Sequence, residues 1–195
     1  MRENERERLK TLLVKHALSF GDFVLSSGKK SRYYLDVRKV STLPEGAFLL
    51  AKIILSMLPE GEVEALGGPT IGVDPIAGAV AAISFLEGRQ LPTFLVRKEA
   101  RAHGTARAIE GNLEKGWKVA ILDDVVTTAG SILSAAQAVE DAGCEVERTL
   151  AVVDREEGGA EEIRRAGYRF DAILKVSEIL SSALGAGGGA GPTAG

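Results

Sequence analysis

Short apolar runs alternate with amphipathic stretches along most of the chain, and this pattern predicts strands and helices in turn. Runs rich in β-branched residues predict strands at 63–67, 92–97, 118–123, 146–153 and 172–176. Helical spacing of apolar residues predicts helices near 74–86, 131–142 and 160–166. Such alternation favours an α/β fold with a mainly parallel sheet and helices on both faces.

The first sixty residues show a different pattern. An apolar stripe at helical spacing predicts a helix over about 4–18, and two short strands are expected at 22–25 and 33–37, around a polar turn. A further helix begins at Pro44 and ends at Pro59. We therefore expect a small N-terminal unit followed by the α/β core.

Composition narrows the class of protein. The 195 residues carry 24 basic and 27 acidic side chains, a net charge of −3, with 45% hydrophobic residues. These values are typical of a soluble globular domain, and they favour neither nucleic acid nor an anionic membrane as a partner. The single cysteine, Cys144, excludes an internal disulfide and a cysteine cluster. The charged N-terminus predicts no secretory signal, and no apolar stretch approaches membrane-spanning length, so we expect a cytoplasmic protein.

The segment 119–131 carries the clearest chemical signal. A buried strand is expected to end at Asp123 and Asp124, and the small-residue turn 127–131 then leads into a helix. Helix N-termini bind anions through free backbone N–H groups, and the turn adds hydroxyl donors. Carboxylates repel phosphate but suit sugar hydroxyls or a metal ion. The segment therefore predicts a cradle for a ribose 5-phosphate, although by itself it is also compatible with a simple helix cap.

Two other segments follow predicted strand ends, where ligands bind in parallel sheets. The glycine-rich segment 67–72 suits a second anion, and alone it would be an ordinary turn. The polar segment 97–109 is expected to move and to close over the site, although most charge runs are simply solvated. Its positive side chains are Arg97, Lys98, Arg101, His103 and Arg107.

Three stretches together resemble the orotate phosphoribosyltransferases, a family of type I phosphoribosyltransferases. Residues 23–36 are similar to the N-terminal hood of that family, 97–104 to its mobile catalytic loop, and 123–131 to its phosphoribosyl pyrophosphate signature. The resemblance covers nearly all of the chain before its Gly/Ala-rich end. It implies a five-stranded, mainly parallel sheet with helices on both faces and a small hood.

The resemblance also implies domain limits, an activity and partners. The hood would span 1–40, the phosphoribosyltransferase core 41–184, and a disordered Gly/Ala-rich tail 185–195. Members of the family make orotidine 5-monophosphate and pyrophosphate from orotate and phosphoribosyl pyrophosphate, with Mg²⁺, in pyrimidine biosynthesis. They are homodimers in which the mobile loop reaches into the site of the neighbouring subunit. No nucleic acid or membrane partner is implied.

Site residues follow from the resemblance position by position. Pyrophosphate would be held by the cations of the loop, namely Arg97, Lys98, Arg101 and His103. The ribose hydroxyls would be held by the acidic pair, Asp123 and Asp124, which are also the possible ligands of a metal carried mainly by the donor. The 5-phosphate would be wrapped by the turn formed by Val125, Val126, Thr127, Thr128, Ala129, Gly130 and Ser131. Catalytic roles are implied for Lys98, Arg101, His103, Asp123 and Asp124.

Orotate would lie between the hood and the core, at Tyr33, Tyr34, Thr127 and Arg155. The assignment of Arg155 has a physical reason, because a guanidinium grips a planar carboxylate in fork geometry while an aromatic ring covers the face of the base.

Two positions depart from the family pattern. Ser26 stands where some bacterial members have a lysine that contacts the donor, so either Lys29 or Lys30 replaces it or the contact is absent. Arg101 stands where many members have a lysine, and arginine is a poor proton donor. Lys98 and His103 are therefore better candidates for the acid.

Two alternatives stay open at this point. A phosphoribosyltransferase for a purine base would share the donor site, but the hood tyrosines and Arg155 argue against it. A non-catalytic regulator that senses the donor would need a surface for a partner or for nucleic acid, and the acidic charge argues against that.

Overall fold

The computed structural model describes residues 2–24, 30–97 and 108–186 of the chain. Seven α-helices lie in these ranges, namely α1 Arg2–Leu12, α2 Arg38–Ser41, α3 Pro44–Met57, α4 Asp74–Leu86, α5 Gly130–Asp141, α6 Gly159–Arg165 and α7 Val176–Ala186. Eight strands accompany them, namely β1 Leu18–Val24, β2 Lys30–Leu35, β3 Ala65–Pro69, β4 Thr93–Val96, β5 Ile109–Gly111, β6 Lys118–Val126, β7 Glu145–Asp154 and β8 Phe170–Lys175.

The central sheet has six strands among the described residues, in the order β5-β4-β3-β6-β7-β8. Five of them are parallel, which confirms the predicted mainly parallel sheet. The sixth, β5, pairs antiparallel with β4 at one edge. It was not predicted, because a strand of three residues has no readable hydrophobic period.

Helices cover both faces of this sheet. Neighbouring side chains on β6 alternate between two apolar clusters, with Leu122 packed towards α3 and α4 and Ile121 packed towards α5 and α6. Both side chains are fully buried. This double coverage explains why the strands read as continuous apolar runs.

The hood is an antiparallel pair, β1 and β2, in which Phe20 lies opposite Tyr33 and Ser19 opposite Tyr34. A π-helical turn, Leu13–Ala17, links α1 to β1. The pair starts earlier than predicted, because Leu18 already pairs with Leu35 across the two strands. Pairing with a distant strand therefore decides where the helix ends.

The C-terminal helix α7 was not predicted. It is tied to the N-terminal helix, since Arg6 forms an ion pair with Glu178 and its Nε donates to the carbonyl of Ile173 at 2.9 Å. Because α7 extends to Ala186, the first two residues of the expected disordered tail are helical instead, and 187–195 lie outside the described residues. In the described part of the chain, no helix is both long and apolar enough to cross a membrane.

Candidate active site

The acidic pair lies inside strand β6 rather than at its end. The strand was expected to end at Asp123, but it continues to Val126 because β7 offers parallel partners up to Asp154. Asp123 is 4% exposed, and the hydroxyl of Ser131, in the first turn of α5, donates to its Oδ2 at 2.5 Å. Strand and helix are thereby joined at the first carboxylate.

The second carboxylate is held by the backbone and by a facing loop. Oδ1 of Asp124 accepts the N–H of Val125 at 2.9 Å. A Cβ placed on Gly72 would lie 2.4 Å from the carboxyl carbon of Asp124, so the segment after β3 packs directly against this side chain. Two segments about fifty positions apart in sequence therefore meet at Asp124.

Burial dominates the electrostatics of the pair. Loss of water raises the pKa of Asp123 to about 7, while the hydrogen bond from Ser131 acts in the opposite direction. Burial also raises the pKa of Asp124, against which the hydrogen bonds from its neighbours and the charge of Arg38 act. Both carboxyl groups are consequently more readily protonated than free aspartate.

The turn that follows β6 has the geometry of an anion cradle. Ala129 has φ +69°, in the left-handed region, and it precedes the first residue of α5. No side chain caps the start of α5, so its first backbone N–H groups are not satisfied from within the described chain. Thr128, Gly130 and Ser131 are exposed around this helix end.

The second predicted anion segment, 67–72, is part strand and part loop, whereas the whole segment was predicted to follow the strand. Gly67 and Gly68 belong to β3, where their Cα atoms pack against the backbone of neighbouring strands, and only the residues after Pro69 form the loop. The strand lies two residues later than predicted because its ladder with β4 runs from Leu66 to Pro69.

These segments enclose a cleft of about 340 Å³. It lies at the carboxyl ends of the parallel strands β3 and β6, beside the end of the hood strand β2. Its described lining residues are Tyr34, Leu35, Asp36, Val37, Arg38, Pro69, Thr70, Ile71, Gly72, Asp123, Asp124, Val125 and Ser131. Hence the structure brings both predicted anion segments and one predicted base-contacting residue to one site.

The four residues predicted to hold the base are not all at this cleft. Tyr34 lines it, whereas Tyr33, one position earlier on β2, points to the other side and packs on the core. Arg155 is 7% exposed, and its guanidinium lies over the Tyr33 ring at 4.9 Å from the centroid. Its Nε donates to Glu157 at 2.9 Å. Thr127 is half-buried and does not line the cleft.

Of the predicted loop cations, the structure describes Arg97. Its backbone N–H donates to the carbonyl of Ala108 at 2.8 Å, and its guanidinium lies 3.7 Å from Glu110. Arg97 also lines an adjacent cavity of about 510 Å³, together with Gly130 and Ser131. The remaining predicted cations, and the hood positions in question, lie outside the described residues, namely Lys98, Arg101, His103, Arg107, Ser26 and Lys29.

Comparison with known proteins identifies the family. No family model matches the chain. The orotate phosphoribosyltransferase of Aquifex aeolicus is 45% identical over 179 residues, covering 90% of this chain and 98% of that protein. The chain belongs to the orotate phosphoribosyltransferase family. A second relative with the same name, from Methanothermobacter thermautotrophicus, is 39% identical over 180 residues and is matched over 96% of its length, with 92% of this chain covered.

Solved structures agree with this assignment. The orotate phosphoribosyltransferase of Mycobacterium tuberculosis, solved in complex with 5-phospho-alpha-D-ribosyl 1-diphosphate, has a TM-score of 0.75 and 31% identity, covering 90% of this chain and 98% of that chain. Adenine phosphoribosyltransferase from Thermoanaerobacter pseudethanolicus has a TM-score of 0.61 at 16% identity, over 87% of this chain and 98% of that chain, which speaks for the fold alone. The predicted type I phosphoribosyltransferase fold is confirmed, and family members are glycosyltransferases.

Sequence reasoning about the family site missed Arg38. This residue starts α2 directly after the hood, and its side chain is 45% exposed. The signal was present, because Arg38 follows the end of a predicted strand, two positions after Asp36. It was overlooked because the expected cationic donor contacts were placed in the segment 97–103 and, within the hood, at Lys29 or Lys30.

The acidic pair also bears on the metal that the family implies. Carboxylate oxygens are suitable ligands for Mg²⁺, and Asp124 is the less buried of the two. The described residues contain no group of three or more potential metal ligands. This donor set fits an ion held mostly by substrate phosphates, for which Asp123 and Asp124 would be the candidate protein ligands.

Proposed function

We propose that this member of the orotate phosphoribosyltransferase family transfers the 5-phosphoribosyl group from phosphoribosyl pyrophosphate to orotate. The products are orotidine 5-monophosphate and pyrophosphate, in pyrimidine biosynthesis. One observation carries the proposal: the acidic pair, the start of α5 and the loop after β3 open onto a single cleft. A sugar with a phosphate at each end needs two anion-binding segments on either side of groups for its hydroxyls.

Each part of the donor has a candidate partner. The 5-phosphate is assigned to the segment 125–131, whose helix N-terminus and hydroxyls favour an anion. The ribose hydroxyls are assigned to Asp123 and Asp124, which accept hydrogen bonds when ionised. The pyrophosphate is assigned to the loop 70–72 and to the cations of 97–103. The backbone N–H groups of the loop 70–72 and of the start of α5 are uncharged hydrogen-bond donors for the phosphate oxygens.

The chemistry is the cleavage of the bond between C1 of the ribose and the pyrophosphate oxygen. Negative charge grows on the leaving group while the sugar becomes cation-like, as in other glycosyl transfers. Lys98, Arg101 and His103 are proposed to stabilise the first change, and the carboxylates of the acidic pair the second. Bound to the donor, Mg²⁺ supplies further positive charge at the leaving group.

The base is assigned to the space between the hood and the core. Tyr34 faces the cleft. Arg155 directly follows β7, next to the end of β6, and its guanidinium lies over the Tyr33 ring. A ring nitrogen of orotate is the nucleophile, and it needs positioning more than activation. We propose that the orotate carboxylate forms an ion pair with the Arg155 guanidinium.

We further propose a homodimer in which the segment 98–107 of one subunit serves the cleft of its neighbour. The proposal follows from the resemblance to the family, and the segment leaves the core at Arg97 and Ala108, which are joined by a backbone hydrogen bond beside the adjacent cavity. Mixing the inactive variants Lys98→Ala and Asp124→Asn tests it. Recovery of activity on mixing supports shared sites, whereas a mixture as inactive as its parts contradicts them.

A cytoplasmic location is likewise a proposal. Cell fractionation with an antibody to the protein tests it, and recovery in the membrane fraction would contradict it.

The activity itself is tested by following orotate absorbance in the presence of the donor and Mg²⁺, with pyrophosphate release measured in parallel. We expect orotate to be consumed and pyrophosphate to appear in equal amount. Adenine, guanine and hypoxanthine, offered separately, are the matched controls and should give no pyrophosphate. Consumption of a purine with orotate untouched would overturn the proposal.

A further inference from the structure

The charges that line the cleft are unbalanced. Among the described lining residues, three carry carboxyl groups, Asp36, Asp123 and Asp124, and a single one, Arg38, carries a positive charge. The donor brings several negative charges of its own. A site for such a ligand requires cations close to it, so the position of Arg38 calls for a role.

Arg38 is held in place rather than free. Its Nε donates to Oδ1 of Asp36 at 2.8 Å, its Nη2 donates to Oδ2 at 3.1 Å, and its backbone N–H donates to Oδ1 at 3.1 Å. The side chain remains 45% exposed, and Nη1 makes no hydrogen bond within the described part of the chain. One edge of the guanidinium is therefore fixed by Asp36, and the other edge is available to a ligand.

The surroundings of Arg38 indicate which part of the donor it meets. Arg38 lies close enough to Asp124 for their charges to interact, and it shares the cleft with the loop 70–72. The 5-phosphate is assigned to the start of α5, whereas the pyrophosphate is assigned to the loop 70–72, which lines the cleft together with Arg38. The phosphate group nearest to Arg38 is then the pyrophosphate, and a guanidinium binds phosphate oxygens in fork geometry.

We propose that Arg38 is a donor-binding residue that contacts the pyrophosphate from the hood side, and that Asp36 is its positioning residue. This inference rests on the proposed function. Some family members contact the donor through a hood lysine, and this chain has Ser26 at that position. Lys30, the hood lysine that the structure describes, does not line the cleft. Arg38 does line it, and we assign the hood-side contact with the donor to this residue.

The experiment measures KM for the donor and KM for orotate separately in Arg38→Ala, Arg38→Lys and the wild type. We expect KM for the donor to rise by about 10-fold or more in Arg38→Ala and KM for orotate to change less than about twofold. Arg38→Lys should recover part of the loss, because it keeps the charge but not the fork. The matched control is Arg8→Ala, which removes an exposed arginine paired with Glu45 on the helices α1 and α3.

Two further measurements separate binding from structure. Calorimetric titration of pyrophosphate with Mg²⁺ should show weaker binding to Arg38→Ala than to the wild type. Asp36→Asn should raise KM for the donor by a smaller factor than Arg38→Ala, because the guanidinium stays but loses its fixed orientation. If Arg38→Ala is unstable, Arg38→Gln applies the same test, since it removes the charge and retains polarity and much of the length.

The outcomes are distinguishable from those of the proposed function. A wild type that leaves orotate unconsumed contradicts the proposed function itself. An active wild type with an unchanged donor KM and unchanged pyrophosphate binding in Arg38→Ala overturns the inference alone. A rise confined to the KM for orotate also overturns it, because Arg38 would then contact the base.

Discussion

The two strand-turn-helix segments that form the cleft are built by opposite means. Between β3 and α4, the segment 67–72 relies on missing side chains: a Cβ on Gly68 would lie 1.9 Å from the carbonyl oxygen of Leu122. Between β6 and α5, the segment 123–131 relies on side chains that bond to each other, such as Ser131 to Asp123. The first segment lets backbone approach closely, and the second offers carboxylates and hydroxyls.

This difference has a consequence for mutation. A segment shaped by close backbone approach has no spare volume, because protein interiors are close-packed and overpacking is costly. In a segment shaped by side-chain hydrogen bonds, one substitution removes about one hydrogen bond and costs only the stability that this bond supplies. We therefore expect substitutions that add atoms in 67–72 to have large effects, and substitutions that remove atoms in 123–131 to have smaller ones.

The largest effect is expected from Gly72→Ala. The new methyl group would overlap the Asp124 carboxylate at 2.4–2.5 Å, so the carboxylate must move away from the position proposed to bind the ribose. Small displacements of a positioned group reduce rates strongly, and we expect turnover to fall about 100- to 1000-fold. Steady-state kinetics measure this, with the melting temperature as a check on folding. Near-normal turnover would show that Asp124 tolerates displacement.

Gly68→Ala should act on stability instead. Its Cβ meets backbone of β6, which cannot rotate away, and we expect the free energy of unfolding to fall by about 3 kcal/mol. Urea denaturation measures the change. The matched control is Gly78→Ala on α4, where nothing lies within 4 Å of the added atom, and a gain of about 0.5–1 kcal/mol is expected. Equal effects in the two variants would contradict the close-packing account.

Asp123 should make stability depend on pH. Burial raises its pKa to about 7 in the folded protein, above the ordinary value of 3.8, so folding favours the protonated form. Its contribution is fully present below about pH 4 and is lost as pH rises towards 7. Relative to Asp123→Asn, which does not titrate, the wild type should lose roughly 4 kcal/mol of unfolding free energy over this range. A difference between the two proteins that is constant with pH would contradict the prediction.

Ser131→Ala is expected to have the smallest effect. It removes one hydrogen bond to a buried carboxylate, which costs about 1 kcal/mol of unfolding free energy. Because Ser131 lowers the pKa of Asp123, the same change should move the pH dependence of stability to higher pH. Ser134→Ala, an exposed position one turn along α5, should change neither quantity. A loss as large as that of Gly68→Ala would show that the two segments are not built differently.

Much of the fold was readable from local patterns. The helix at 74–86 agrees with its prediction at both ends, because Asp74 and Pro75 mark its start and its apolar spacing is regular. The predicted end of β6 was wrong, because Val125 and Val126 pair with β7 but are separated from the apolar run by the acidic pair. Helix α7 was missed because small and glycine residues near its end resemble a linker.

The candidate site shows the same division between near and distant residues. The Asp-Asp pair and its small-residue turn are contiguous in sequence, so their suitability for a sugar phosphate can be predicted without knowing where the strand lies in the sheet. The roles assigned to Tyr33, Tyr34, Thr127 and Arg155 depend on which face each side chain takes, and Tyr33 and Tyr34 take opposite ones because side chains alternate along a strand. Their assignment to the base stays a prediction.

The sequence by itself thus determined the local features, namely apolar runs that become buried, a turn that begins a helix, and carboxylates next to hydroxyls. It did not determine which distant residues lie close together. Gly72 touches Asp124, and Arg38 faces the same cleft, because parallel pairing of β3 with β6 and the return of the hood strand bring them there. That outcome depends on strand register and burial summed over the whole sheet, which no short stretch of residues contains.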